Sequence, residues 1–139
     1  MKKLSLDTPS PNPNREGAKQ GLMVCVTGQR SCERLVVHGK NRLAPDQILY
    51  VVHCVPEGKN FLGSTDESDA INYLFNISKN VGAELTILRE NDVIDALVDF
   101  ANEHNIHVIV VGRSPSSAKD SFNNRFSKRL PGVEFDIVM

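Results

Sequence analysis

Ile48-Leu49-Tyr50-Val51-Val52-His53-Cys54-Val55-Pro56 decides the fold of this chain. A strand with one wet face alternates apolar and polar residues, whereas this run is apolar at nearly every position until Pro56 stops it. Continuous runs of this kind belong to strands buried on both faces, as in parallel sheets covered by helices.

The same signature recurs on either side. Leu22-Met23-Val24-Cys25-Val26-Thr27 lies between Gly21 and Gly28, and Val108-Ile109-Val110-Val111 runs directly into Gly112. Leu85-Thr86-Ile87-Leu88 and Glu134 to Val138 supply two further strands. Between the strands the apolar period changes to three and four residues, which marks helices with one buried face. The first stripe is Cys32, Leu35, Val36, Gly39 and Leu43. Ser31 is expected to cap that helix, Glu33 to sit in its first turn, and Pro45 to end it. The second stripe is Ala70, Ile71, Leu74, Phe75, Ser78 and Val81, with Ser64 or Thr65 as cap and Gly82 as a left-handed stop. A third helix is expected from about Asp92 to Glu103, striped by Val93, Ile94, Leu97, Val98 and Ala101, and a short fourth from Phe122 to Leu130. Strand and helix alternate throughout. That order predicts an α/β domain with a parallel sheet, because each right-handed crossover lays a helix on one face.

Residues 1–20 read differently. Pro9, Pro11 and Pro13 alternate with Ser10, Asn12 and Asn14, so this stretch is expected to be a disordered tail before one domain over residues 21–139.

Composition narrows the function. Lysine plus arginine number 16 and aspartate plus glutamate 17, a net charge of -1 that gives no support to nucleic acid or an anionic membrane as partner. No apolar stretch approaches the roughly 20 residues that span a bilayer. Cys25, Cys32 and Cys54 form no CxxC pair and read as reduced thiols, so the protein is expected to be cytoplasmic.

Open parallel sheets bind ligands beyond the carboxyl ends of their strands. Two such ends are rich in glycine, hydroxyl and basic residues: Thr27-Gly28-Gln29-Arg30-Ser31, and Gly112-Arg113-Ser114-Pro115-Ser116-Ser117. From Arg113 to Arg129 the bases are Arg113, Lys119, Arg125, Lys128 and Arg129, against one acid, Asp120. Such a segment suits a small anionic, phosphate-bearing ligand. A solvated helix face is the competing reading.

From residue 22 to the end the chain resembles the universal stress proteins. Tyr50 to Pro56 is similar to that family's second strand, and Val110-Val111-Gly112 to the start of its nucleotide loop. Within the family the match resembles the version in potassium-responsive sensor histidine kinases, through Val24-Cys25-Val26, Ser31-x-Glu33-Arg34-Leu35, Val111-Gly112-Arg113-Ser114 and Phe126-Ser127-Lys128-Arg129-Leu130. The resemblance implies a three-layer α/β/α fold of the adenine nucleotide alpha hydrolase type. Its five-stranded parallel sheet has the order 3-2-1-4-5, counted from the strand at Leu22. It implies a homodimer, often paired through the last strand, and in one branch ATP as ligand. It also places a backbone contact to adenine at Cys54. The implied ligand set is then Thr27, Gly28, Cys54, Gly112, Arg113, Ser114, Ser117, Arg125 and Ser127.

The sequence departs from the ATP pattern, which is Gly-x-x-Gly, nine residues, then Gly and a hydroxyl residue. Gly112 supplies the first glycine, but Pro115 replaces the second, and Asn124-Arg125 stands where Gly-Ser belongs. Proline offers phosphate no backbone N–H. ATP is therefore expected to bind weakly, and the ligand expectation stays open between ATP and another adenine nucleotide. The aromatic motif with which some sensor-kinase copies bind a cyclic di-adenylate does not occur over Leu49 to His53.

The remaining reactive residues carry weaker signals. Cys32, near Arg30 and Arg34 in a first helical turn, suits a redox thiol or a small core residue. His104-x-x-His107 has metal-ligand spacing but straddles a helix end and a strand start. His53 either borders a ligand or is a hydrogen-bonded core histidine. No Ser-His-Asp or paired-carboxylate arrangement emerges, so the expectation is a regulatory domain sooner than an enzyme. An ATP-binding protein of slow hydrolysis and a ligand-free dimerisation module are the alternative readings.

Overall fold

The computed structural model describes residues 2–5, 20–26, 29–58, 67–113 and 122–138. In chain order the elements are β1 (Lys2–Ser5), β2 (Gly21–Cys25), α1 (Gln29–Arg42), β3 (Ile48–Val55), α2 (Glu67–Asn80), β4 (Glu84–Arg89), α3 (Val93–Glu103), β5 (Ile106–Gly112), α4 (Phe122–Lys128) and β6 (Glu134–Val138). The sheet runs β1-β4-β3-β2-β5-β6. Its last five strands are mutually parallel, in the order expected, and β1 joins the β4 edge antiparallel. The tail expected over 1–20 thus contributes a strand at its start. Apart from Gln20, the rest of that stretch lies outside the described residues.

Alternation of side chains along each buried strand divides the core into two layers. Leu22 and Val24 of β2 turn toward α1 and α2, packing with Leu35, Val36 and Leu74. Met23 and Cys25 turn the other way, toward α3 and α4, and meet Leu97, Phe100 and Phe126. Phe100 and Phe126 are almost fully buried, and burial of a side chain of that size is worth about 1.5–3 kcal/mol. This sandwich of helices around a sheet is the three-layer fold.

The helix ends follow local chemistry. Asp92 caps α3, its side chain accepting the N–H of Asp95 at 3.0 Å. Gly82 closes α2 with φ +72°, where a residue without Cβ is the natural choice. α1 begins at Gln29, two residues before the expected cap, so Ser31 lies inside the first turn and Glu33 beyond its start. Gly39 lets α1 approach the sheet closely, since a Cβ there would stand 2.5 Å from Val24 Cγ2. Ser64 and Thr65, the expected caps of α2, lie outside the described residues.

Candidate functional site

β2 and β5 are neighbours, with Val24 level with Val110. From these adjacent strand ends the chain departs in opposite directions. β2 leads into α1 on one face, and β5 leads toward α4, whose Phe126 packs on the other face. Strand order reverses at this point, and in open α/β sheets that is where ligands bind, beyond the carboxyl ends of the strands.

One wall is β3, which overruns β2. The Val26 N–H still donates to the Val52 carbonyl at 3.0 Å. Beyond that level, Cys54 and Val55 pair with Leu88 and Arg89 of β4 on their other side. The His53 ring closes the junction, Nδ1 donating to the Val26 carbonyl at 2.7 Å. His53 is only 3% exposed, so of its two sequence readings the structure shows the hydrogen-bonded core histidine. Burial holds its imidazole below the usual 6.5; the Val26 bond opposes that shift and Arg89 adds to it.

The opposite wall is the end of β5. The Arg113 N–H extends the ladder by donating to the Val138 carbonyl at 3.0 Å, and its side chain is exposed. Asn123, buried in α4, donates from Nδ2 to the Gly112 carbonyl at 3.0 Å and so ties the helix to the strand end. Sequence reasoning passed over Asn123. A usable signal existed: Asn123, Phe126 and Leu130 share one stripe, and an amide on an apolar face is a buried group in need of a partner.

The other expected site residues are distributed unevenly. Arg125 is exposed on α4. The Ser127 hydroxyl donates to the Asn124 carbonyl at 3.1 Å, within its own helix. Cys54 is buried on the α3 side of β3, with Sγ 4.0 Å from the Glu90 carbonyl, and burial pushes its thiol up to about 11. Thr27, Gly28, Ser114 and Ser117 lie outside the described residues.

The thiols are packing groups. Cys32 is fully buried in the core with Leu35 and Val36, the placement of the small core residue, and burial pushes its thiol up to about 12. Cys25 is shifted upward as well, by burial and by Cys54. A protonated thiol is neither nucleophile nor ligand. His104 and His107 turn to different backbone carbonyls, those of Phe100 at 2.9 Å and Asn105 at 3.0 Å. The His104 ring also stacks on Phe100 with centroids 3.9 Å apart. Among the described residues no group of three or more His, Cys, Asp or Glu could hold a metal ion, and no helix is long and apolar enough to cross a membrane.

No family model matches the chain, and no curated protein matches it by sequence. Solved structures do match it by fold. A universal stress protein in complex with cAMP aligns over 88% of this chain and 99% of its own, with TM-score 0.61 and 18% identity. The universal stress protein from Archaeoglobus fulgidus in complex with dAMP aligns over 86% and 98%, with TM-score 0.58 and 19% identity. A further structure of the protein from Archaeoglobus fulgidus gives TM-score 0.53 at 18% identity. The fold is that of the universal stress proteins.

Proposed function

We propose that the chain is a regulatory domain of the universal stress type, which binds an adenine nucleotide or a similar small anion beyond the carboxyl ends of β2 and β5 and pairs with a second copy through β6. The observation that carries this reading is the switch in strand order between β2 and β5. Two adjacent parallel strand ends diverge there, the exposed Arg113 stands on one lip, and the backbone of Cys54 projects beyond β2 on the other. That two proteins of this fold hold cAMP and dAMP supports an adenine monophosphate as the first ligand to try.

Arginine side chains supply the charge. Arg113, and Arg125 on α4, would meet phosphate with charge-assisted hydrogen bonds, in place of the backbone donors that Pro115 cannot offer. A monophosphate needs fewer donors than a triphosphate, so dAMP and cAMP should bind more tightly than ATP. For ATP a dissociation constant on the order of 0.1 mM or weaker is expected. Calorimetry with the three nucleotides tests this. Replacing Arg113 or Arg125 by Ala should cost roughly 1–3 kcal/mol of binding each, with unfolding midpoints unchanged. Low-micromolar ATP binding, or nucleotide affinity untouched by both substitutions, rejects the site.

Pairing through β6 is supported by its position at the sheet margin and by Ile137, which is 47% exposed there. Sedimentation equilibrium checks it: a monomer at every concentration rejects the pair. The kinship with sensor-kinase domains belongs to the same reading, with the domain reporting its ligand to a partner protein in the cytoplasm. It predicts that a nucleotide changes self-association, and an unchanged sedimentation profile at saturating dAMP counts against it.

A further inference from the structure

The two margins of the sheet are finished differently. At β6, Glu134 and Asp136 lie toward α1, where Arg42 holds both carboxylates at 2.6 and 2.9 Å and His38 donates to Asp136 at 2.8 Å. The opposite margin is β4. Its run Leu85-Thr86-Ile87-Leu88 carries no charge, and the Arg89 guanidinium that follows turns back onto the Pro56 carbonyl. A strand whose four central residues are uncharged and mostly β-forming, with charges only at its two ends, is a template for another chain when its outer backbone row is open. Here that row is taken by β1, with Lys2 opposite Arg89 and Ser5 opposite Thr86.

β1 stands outside the β-α alternation that places every other strand. It is the antiparallel member of a parallel sheet, and the chain between Ser5 and Gly21 is fifteen residues long. Fifteen residues reach up to ~50 Å, while the lateral path from β1 to β2 crosses three strand spacings of about 4.8 Å. Chain length alone therefore does not dictate where β1 lies, and the contact that the described residues show for it is the backbone ladder to β4.

We propose that β1 is an edge cap, which keeps the β4 margin from pairing with a second copy of this chain. β1 moves that margin onto a strand of four residues that carries Lys2 and Lys3, and a short, lysine-bearing edge is a poor template for a further strand. With only the β6 margin left to pair, an isologous contact closes at two, whereas two competent margins let subunits add without end. That the assembly stops at two rests on the β6 reading above; the capping of β4 does not.

The test is deletion of residues 1–6 from the otherwise full chain, followed by sedimentation velocity over a wide concentration range. The parent should stop at a fixed mass, twice the protomer, while the deletion variant continues to larger species as concentration rises. Leu4→Pro, which puts a proline inside the four-residue strand without shortening the chain, should act in the same direction and decides the matter if the deletion variant does not fold. Both changes are repeated with Ile137→Lys, which sets like charges against one another across a β6 pair. In that background the parent should be a monomer and the uncapped form a dimer. A parent that is monomeric throughout removes the β6 pair alone, and the cap then predicts a monomer-to-dimer step on deletion. Folded, uncapped variants that keep their parent's mass overturn the cap. So does Leu4→Pro when it speeds amide exchange along β4 yet leaves the mass unchanged.

Discussion

His53 and His38 make hydrogen bonds of nearly equal length in regions of opposite character. His53, at the centre of the sheet, donates to a backbone carbonyl in near-complete burial. His38, at the rim, donates to Asp136 from a side chain that is 41% exposed. At the centre, removing the donor leaves an oxygen with no water to replace it, and the full desolvation cost appears. At the rim, water and Arg42 stand ready, so the same bond contributes little. Bond length therefore says nothing about importance here; surroundings decide. The ligand site proposed above lies at the centre, where geometry is expensive to disturb, and the proposed pairing margin at the rim, where charges can be rearranged cheaply.

The contrast can be broken at several points. The largest effect should come from His53→Ala, which strands the Val26 carbonyl and opens a cavity, at about 3 kcal/mol. His38→Ala should cost under about 1 kcal/mol. Urea unfolding compares the pair, and equal losses would erase the distinction between centre and rim. Next comes Gly39→Ala, which forces a methyl against Val24 on the helix that links the two regions. A loss of about 2 kcal/mol is expected, with β6 loosened before β3 in amide exchange; uniform loosening would contradict the link.

Acid should dissect the two regions in sequence. His53 has a folded pKa below its unfolded 6.5, so the native state binds fewer protons. Its contribution is complete above 6.5 and is lost as pH falls through the window from there down to the folded value. Asp136 is held below its usual 3.8, first by the His38 bond, with burial opposing and Arg42 adding to the lowering. Its contribution is present above 3.8 and fails only as pH falls below that. A stability–pH curve should therefore show a first decline that His53→Ala flattens and a later one that Asp136→Asn flattens. A single decline untouched by His53→Ala would sink the assignment. The smallest effect belongs to Arg42→Ala, about 0.5–1 kcal/mol of stability, with a larger proportional loss of self-association. Unchanged association would show that the rim charges serve the fold alone.

Much of this was legible in the residues. Val24, Val51 and Val110 lie in uninterrupted apolar runs, and such runs announce parallel strands because both faces must be covered. Glu134 to Val138, which the sequence marks as a strand, forms β6 with those limits. What escaped reading depends on partners distant in the chain. Lys2-Lys3-Leu4-Ser5 has no pattern of its own, and becomes a strand only because β4 offers it a ladder. The role of His53 depends on a carbonyl twenty-seven residues earlier. At the proposed ligand site, Arg113 was visible as a charge beyond a strand end, whereas Asn123 became meaningful only once the Gly112 carbonyl was beside it.

The bond from Asn123 to Gly112 has an evolutionary consequence. It fixes both feet of the stretch between them, eleven positions apart in the chain. With the feet fixed, the cost of closing that span rises by only about 0.6 kcal/mol for each doubling of its length. A change of length between Gly112 and Asn123 should therefore cost the sheet below little. If the ligand proposed above is held beside Gly112, selection could rewrite one span, as an instrument changes its tip while keeping its handle.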